Sequence, residues 1–167
     1  MPAADIPLRD QVESLYSDHH GWLHAWLRRR LGCTEQAADL AQDTFVRLIS
    51  GRRRAWGEEP RALLTHIAKG LVIDHWRRQD VERAYLETLA HLPEAVAPSP
   101  EEQALILEAL VRIDAMLARL PARTREVFLL AQLDGLRYQA IADRLGTSLI
   151  SVKRHMRSAY AACLALA

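Results

Sequence analysis

Ala142, Gly146 and Val152 stand at the spacing that lets two short helices cross and present the second to DNA. In Tyr138-Gln-Ala-Ile-Ala-Asp-Arg-Leu-Gly-Thr-Ser-Leu-Ile-Ser-Val-Lys-Arg-His-Met-Arg157, residues Ile141, Ala142 and Leu145 form one apolar stripe, and the small Ala142 permits a close crossing. Gly146 supplies the turn. Ser148 is placed to cap the second helix, while Val152 and Met156, four apart, face back onto the first. Leu149, Ile150, Lys153, Arg154 and Arg157 are left outward, with no acidic residue after Ser148. Such a helix suits the major groove, with base edges read near its N-terminus and phosphates met by the cations behind. A helical hairpin with a merely solvated basic face is the weaker reading, because nothing balances its charge.

Two further groups have chemistry. Asp39, Gln42, Asp43 and Val46 fall at i, i+3, i+4 and i+7 of a helical run, giving an acidic surface with an apolar edge that suits a partner helix bearing arginines. A solvated face explains that spacing equally well. In Ile73-Asp-His-Trp-Arg-Arg78 an aromatic adjoins two arginines, a pattern on which a base can stack and phosphates pair, although Trp76 is equally suited to a core. His20 and His24 share a helical face, but no acidic residue or third histidine joins them on that face to complete a ligand set, so no metal is expected. Cys33 and Cys163 are far apart and outside any CxxC pair, which speaks against a disulfide framework or zinc site.

The elements that must position these residues are helical throughout. Trp22, Leu23, Trp26, Leu27 and Leu31 share a face before Gly32. Residues 35–49 place Ala38, Ala41, Phe45, Leu48 and Ile49 inward, and a long helix from Pro60 to about Gln79 has Leu63, Leu64, Ile67 and Leu71 as its stripe. Ile106, Leu110, Ile113, Leu117 and Leu120 predict a helix over 100–120, stopped by Pro121, and a further helix over 121–133 ends at Asp134-Gly135. Strand alternation is absent from the sequence.

The net charge of +1 conceals an asymmetry. Residues 1–80 carry 12 basic and 11 acidic side chains, residues 81–110 carry 1 and 6, and residues 111–167 carry 9 and 4. Pro93, Pro98 and Pro100 fall inside the acidic strip and favour an extended path. The sequence therefore predicts an all-α chain of two small domains, residues 8–82 and 100–167, joined by a flexible acidic linker over 83–99. Ser99-Pro-Glu-Glu102 closes that linker with a capping box and a proline at the first helical position. Half the residues are apolar, enough for packed cores, yet no apolar run reaches the roughly 20 residues that span a bilayer. Met1 to Arg9 lacks the basic and apolar segments of a signal peptide, so a cytoplasmic protein is expected.

Four ordered segments carry a family resemblance: Ala38-Asp-Leu-Ala-Gln-Asp-Thr-Phe-Val-Arg47, the run from Pro60 to Arg78, Leu120-Pro-Ala-Arg-Thr-Arg-Glu-Val-Phe128, and the helix-turn-helix. In order and separation the chain resembles the bacterial extracytoplasmic-function sigma factors. It is most similar to their FecI-type iron-uptake group, through Leu15-Tyr-Ser-Asp-His-His-Gly-Trp-Leu23, Ala84-Tyr-Leu-Glu87 and Ala97-Pro-Ser-Pro-Glu-Glu102. The resemblance implies a promoter-specificity subunit of RNA polymerase, not an enzyme and needing no cofactor. Asp39, Gln42, Asp43 and neighbouring Arg47 would then bind the clamp helices of the largest polymerase subunit, and the flap region would be a further contact. The loop from Gly51 to Glu59, with Lys69, Asp74, Trp76, Arg77 and Arg78, would hold the melted downstream promoter element. Arg137, Ser148, Leu149, Ile150, Ser151, Lys153, Arg154 and Arg157 would meet the duplex upstream element. The acidic linker would thread toward the RNA exit path. A membrane-anchored FecR-type regulator is the implied controlling partner, with no membrane insertion by this chain.

The chain departs from that pattern in places. Gly70 stands where many members carry asparagine, and Arg137 and Ala140 replace the usual capping Ser/Thr and Glu of the first helix of the motif. Leu149 and Ile150 are apolar where hydrogen-bonding readers are common, which suits thymine methyls. The principal rival, a helix-turn-helix regulator acting on duplex DNA without polymerase, leaves the Asp39–Arg47 face and the Pro60–Arg78 run without a role. A histidine-based metalloenzyme lacks both a ligand set and a nucleophile.

Overall fold

The computed structural model describes residues 8–51 and 59–165, and every regular element among them is helical. Helix α1 spans Leu8–Leu31, α2 Thr34–Ser50 and α3 Pro60–Leu89. A single 3-10 turn, Glu94–Val96, precedes α4 (Pro100–Arg119), α5 (Ala122–Gln132), α6 (Tyr138–Leu145) and α7 (Leu149–Leu164). The chain divides into two compact units, Met1–Arg77 and Arg78–Ala167.

In the first unit Leu23 and Leu27 of α1 are completely buried against Ala41 and Phe45 of α2 and Leu64 and Ala68 of α3. Ala37 and Ala41 let α2 approach the leucines of α1 closely. Gly32 reverses the chain between α1 and α2 in the left-handed region, at φ 72°, and its N–H closes on the Arg28 carbonyl at 2.9 Å. The buried side of α2 runs through Ala37, Ala41, Thr44, Phe45 and Leu48, so Ala37 rather than Ala38 is fully inward, and Ile49, expected inward, is 47% exposed. Thr44 is what shifts the stripe. Its hydroxyl donates to the Leu40 carbonyl at 2.7 Å, which satisfies it within its own helix and lets a polar residue occupy a core position that an apolar pattern passes over.

Helix α3 continues well past the expected end near Gln79, so residues 83–89, expected in the linker, form its last turns. No proline or glycine interrupts residues 71–92, Val81, Tyr85 and Leu89 recur every four residues on a partly buried side, and Asp80 pairs with Arg83 one turn on. The His91 ring donates from Nδ1 to the Glu87 carbonyl at 2.7 Å beyond the helix end, and Pro93 prevents continuation. Only residues 90–99 lie between the long helices.

In the second unit the core is built from Val127 and Leu130 of α5, Ile141 and Ala142 of α6, and Val152 and Met156 of α7. Met116 and Leu120 seat the end of α4 on Ala159. Helix α4 begins with the expected capping box: Ser99 Oγ accepts the Glu102 N–H, and Glu102 accepts the Ser99 N–H at 2.8 Å. Hydrogen bonds from the Ser99 backbone, and then from its side chain, hold the Glu102 carboxyl below its ordinary value. The contribution of the box is therefore present above the usual carboxylate range and fades as pH falls through that lowered value. The stripe expected along α4 is buried only at its end: Leu120 is inward and Leu117 partly so, while Ile106, Leu110 and Ile113 are exposed. Only the last turns of α4 meet the packed bundle, and upstream of them Leu110 and Ile113 line a shallow groove with Val81 and Tyr85.

Gly146 ends α6 at φ 60° and ψ 39°, and a Cβ placed there would meet nothing within 4 Å. The cost of Gly146→Ala is then purely conformational, about 1–2 kcal/mol. Chemical denaturation should show that loss, and Gly146→Asn, which tolerates the left-handed region, should recover part of it.

Candidate polymerase and promoter interfaces

The second helix of the helix-turn-helix is positioned by its own cap and by contacts from α5 and α6. Ser148 caps α7, accepting the Ser151 N–H at 3.1 Å, and its hydroxyl donates to Ser151 Oγ at 3.1 Å. Both serines are thus engaged with each other at the helix N-terminus. Val152 and Met156 are buried, whereas Lys153, Arg154 and Arg157 are exposed. Ile150 is 80% exposed, but Leu149, expected outward with it, is half-buried. Seven positions before Met156, Leu149 lies close to the buried stripe of α7, so of this apolar pair Ile150 alone projects freely.

Helix α5 buttresses this arrangement. Arg123 donates to the Leu145 carbonyl at 2.6 Å, beside the turn, and pairs with Glu126 at 3.0 Å. Thr124, buried, shares a 2.9 Å hydrogen bond with His155 of α7. Gln132 donates to the Tyr160 hydroxyl at 2.8 Å. Lys153 and Arg157 line a shallow groove with Tyr138 and Tyr160, and partial burial, reinforced by Tyr160, pushes the Tyr138 phenol above its ordinary value. Arg123, Thr124, His155 and Tyr160 were not singled out from sequence, because their partners lie 22 to 31 residues away. At the start of α6, Arg137 is exposed and makes no side-chain cap, as expected from the missing capping box.

In the first unit Asp39, Gln42 and Asp43 are exposed together on α2, with Val46 58% exposed at their edge. Neither aspartate pairs with a cation among the described residues. Arg47 instead turns to α3 and meets Asp74 at 4.0 Å, while Asp74 also faces Arg77 at 3.7 Å. A residue assigned to polymerase and two assigned to melted DNA thus form one exposed ion cluster, worth at most about 1 kcal/mol per pair. Trp76 is 42% exposed, edge-on to His75 at 5.5 Å, and so is not a core residue. Helical spacing puts Lys69, Ile73 and Trp76 in one exposed stripe with Arg77 at its side; Arg78 lies roughly 200° around the helix from Trp76. A Cβ added at Gly70 meets nothing within 4 Å, so the glycine leaves open surface there. Residues 52–58 of the loop expected to hold flipped bases lie outside the described residues.

His20 and His24 stack at 6.3 Å between ring centroids, and the His24 ring lies 3.3 Å from the Thr34 carbonyl. Both cysteines are free and partly buried. No described helix is long and apolar enough to cross a membrane.

Residues 15–82 match the model of Sigma-70 region 2, and residues 110–163 match Sigma-70, region 4. The ferric citrate uptake sigma factor FecI of Escherichia coli is 49% identical over 152 residues, covering 91% of this chain and 88% of its own length. This chain is an extracytoplasmic-function sigma factor of the FecI type. The RNA polymerase sigma factor YlaC of Bacillus subtilis is similar at 31% identity, over 90% of this chain and 88% of its own. The sigma factor SigD of Mycobacterium tuberculosis is 32% identical, over 78% of this chain and 65% of its own. Sigma factors of this family are transcription initiation factors that act with core RNA polymerase at promoter DNA. Region 2 takes in α2 and the α3 face, and region 4 takes in the whole helix-turn-helix.

Proposed function

We propose that the exposed face of Asp39, Gln42, Asp43 and Val46 docks on the clamp helices of the largest polymerase subunit, and that the two ends of the chain divide promoter recognition between them. The stripe of Lys69, Ile73, Trp76 and Arg77, with Asp74 and Arg78 at its flanks, holds the melted downstream element. Helix α7 reads the duplex upstream element through Ile150 and anchors on phosphates through Lys153, Arg154 and Arg157, with Arg137, Ser148, Leu149 and Ser151 at the rim. A groove lined by Arg112, Met116, Arg119, Leu120 and Ala162 offers an apolar seat for the flap region. On this reading residues 8–82 and 100–167 are the working domains, and the acidic stretch ahead of α4 runs through a basic nucleic-acid channel.

The target genes on this reading are iron, siderophore or haem uptake genes, which the likeness to a ferric citrate uptake sigma factor supports. Control comes from a membrane-anchored FecR-type regulator, the chain itself working in the cytoplasm without entering the membrane. It catalyses nothing of its own and carries no cofactor.

The observation that carries the promoter reading is the exposure of Trp76 beside Arg77 on α3. An indole left partly exposed with Arg77 at its side offers a ring face on which an unpaired base can stack. Core polymerase supplied with this protein should melt its promoter, scored by permanganate reactivity of thymines, and the protein alone should melt none. Trp76→Ala should reduce opening about 5- to 100-fold, from roughly 1–3 kcal/mol per stacked base, while sparing closed binding. Normal opening by that variant would return the α3 face to a structural role.

A further inference from the structure

Trp22, Trp26, Arg29 and Arg30 recur at i, i+4, i+7 and i+8 on α1, forming one stripe that none of the interfaces above uses. Both tryptophans are half-buried against the first core. The Arg30 guanidinium lies over the Trp26 ring, 3.6 Å from its centroid, and Arg61, from the first turn of α3, lies over Trp22 at 5.2 Å. None of Arg29, Arg30 and Arg61 pairs with a carboxylate among the described residues, and all three are exposed.

Structure alone explains part of this. Arg30 sits in the last turn of α1, where the helix dipole favours cations, and donates to the Trp26 carbonyl at 3.4 Å. Arg29 makes no such bond. Arg61 stands at the opposite kind of end, in the first turn of α3, where a cation opposes the dipole, with the exposed Glu59 just ahead of the helix. A guanidinium held over an indole, with no carboxylate paired to it among the described residues, can offer its N–H groups to an anion. The ring lies against the guanidinium face, so the N–H edge of Arg61, and that of Arg30 apart from its bond to the Trp26 carbonyl, stays available in the fork geometry that matches phosphate, with less rotamer freedom to lose on binding.

We propose that Arg30 and Arg61, set by Trp26 and Trp22, together with the exposed Arg29 beside Arg30, form a second nucleic-acid site in the first unit, binding the phosphodiester backbone of promoter DNA without regard to sequence. This rests on the reading that the first unit meets promoter DNA, but it uses a different face from the Trp76 stripe.

The test measures binding of labelled promoter DNA to polymerase assembled with R29Q/R30Q/R61Q or with R29K/R30K/R61K, across a range of salt concentrations. Each phosphate contact contributes about 0.9 to the slope of log affinity against log salt on duplex DNA, and about 0.7 on single strands. The glutamine variant should therefore lose about two to three units of slope, equally for every upstream sequence, and the lysine variant should recover most of it. Loss on both duplex and fork-junction templates assigns the duplex backbone; loss only where a single-stranded tail is present assigns the melted strand. Should the triple variant unfold, R29Q alone, whose side chain touches neither ring, must still lower the slope by about one unit. An unchanged slope overturns the site, as does loss of core association, which would make it a polymerase contact. Lost binding to phosphatidylglycerol vesicles with DNA binding intact would make it a lipid contact instead. If Trp76→Ala and Ile150→Ala impair promoter use while the glutamine variant does not, this site fails and the promoter reading stands.

Discussion

Reversing the charge of both Asp39 and Asp43 to arginine should abolish association with core polymerase while leaving the helical content and melting temperature of the free protein unchanged. Both side chains are exposed on α2, opposite Ala37, Ala41 and Thr44, and neither pairs with a cation among the described residues, so their removal leaves no buried partner behind. In the complex the same carboxylates would be desolvated against arginines, and each disrupted pair costs about 2 kcal/mol or more. Two such pairs amount to about 4 kcal/mol, on the order of a 1000-fold loss of affinity, before the repulsion of like charges is counted. Competition against an unmodified sigma factor for a fixed amount of core polymerase measures it. Retained binding by the double variant would remove the α2 face from the interface.

If helix α7 divides affinity from specificity as proposed, its two kinds of residue should fail differently. Ile150→Ala removes the one apolar side chain that projects freely from the start of the helix. It should relax preference at a thymine of the upstream element by roughly 1–3 kcal/mol, about 5- to 100-fold, and leave other positions alone. Lys153→Ala should weaken every promoter alike and reduce the salt slope by about one unit, since a phosphate contact carries no sequence information. Leu149→Ala, by contrast, acts on a half-buried side chain and should lower stability more than it changes preference. The assay is a comparison of single-base promoter variants with assembled polymerase at fixed salt. Full sequence preference in Ile150→Ala would refute thymine-methyl readout.

Much of this molecule follows from local chemistry that a linear chain displays. The helix-turn-helix was legible because every determinant sits within twenty residues: the 3.6-residue period of Ile141, Ala142 and Leu145, the left-handed turn that Gly146 accepts, and the Ser148 hydroxyl within reach of an orphan N–H. The capping box at Ser99 and Glu102 was legible for the same reason, as was the exposure of Asp39, Gln42 and Asp43, since charge resists burial wherever the helix packs.

Tertiary structure decided what depends on neighbours from elsewhere in the chain. Periodicity finds an apolar stripe but not what covers it, so Ile106, Leu110 and Ile113 of α4 read as core although the bundle reaches only Met116 and Leu120. It likewise misplaced Ile49, because a self-satisfied Thr44 turned the buried side of α2. Helix α3 outran its expected end because no breaker precedes Pro93, and an acidic composition does not itself stop a helix. Leu149 was drawn toward the core beside Met156 while Ile150 was left outside. The meeting of Arg61 with Trp22, of Thr124 with His155 and of Arg47 with Asp74 depends on helices far apart in sequence packing at one angle, and no local pattern encodes that angle.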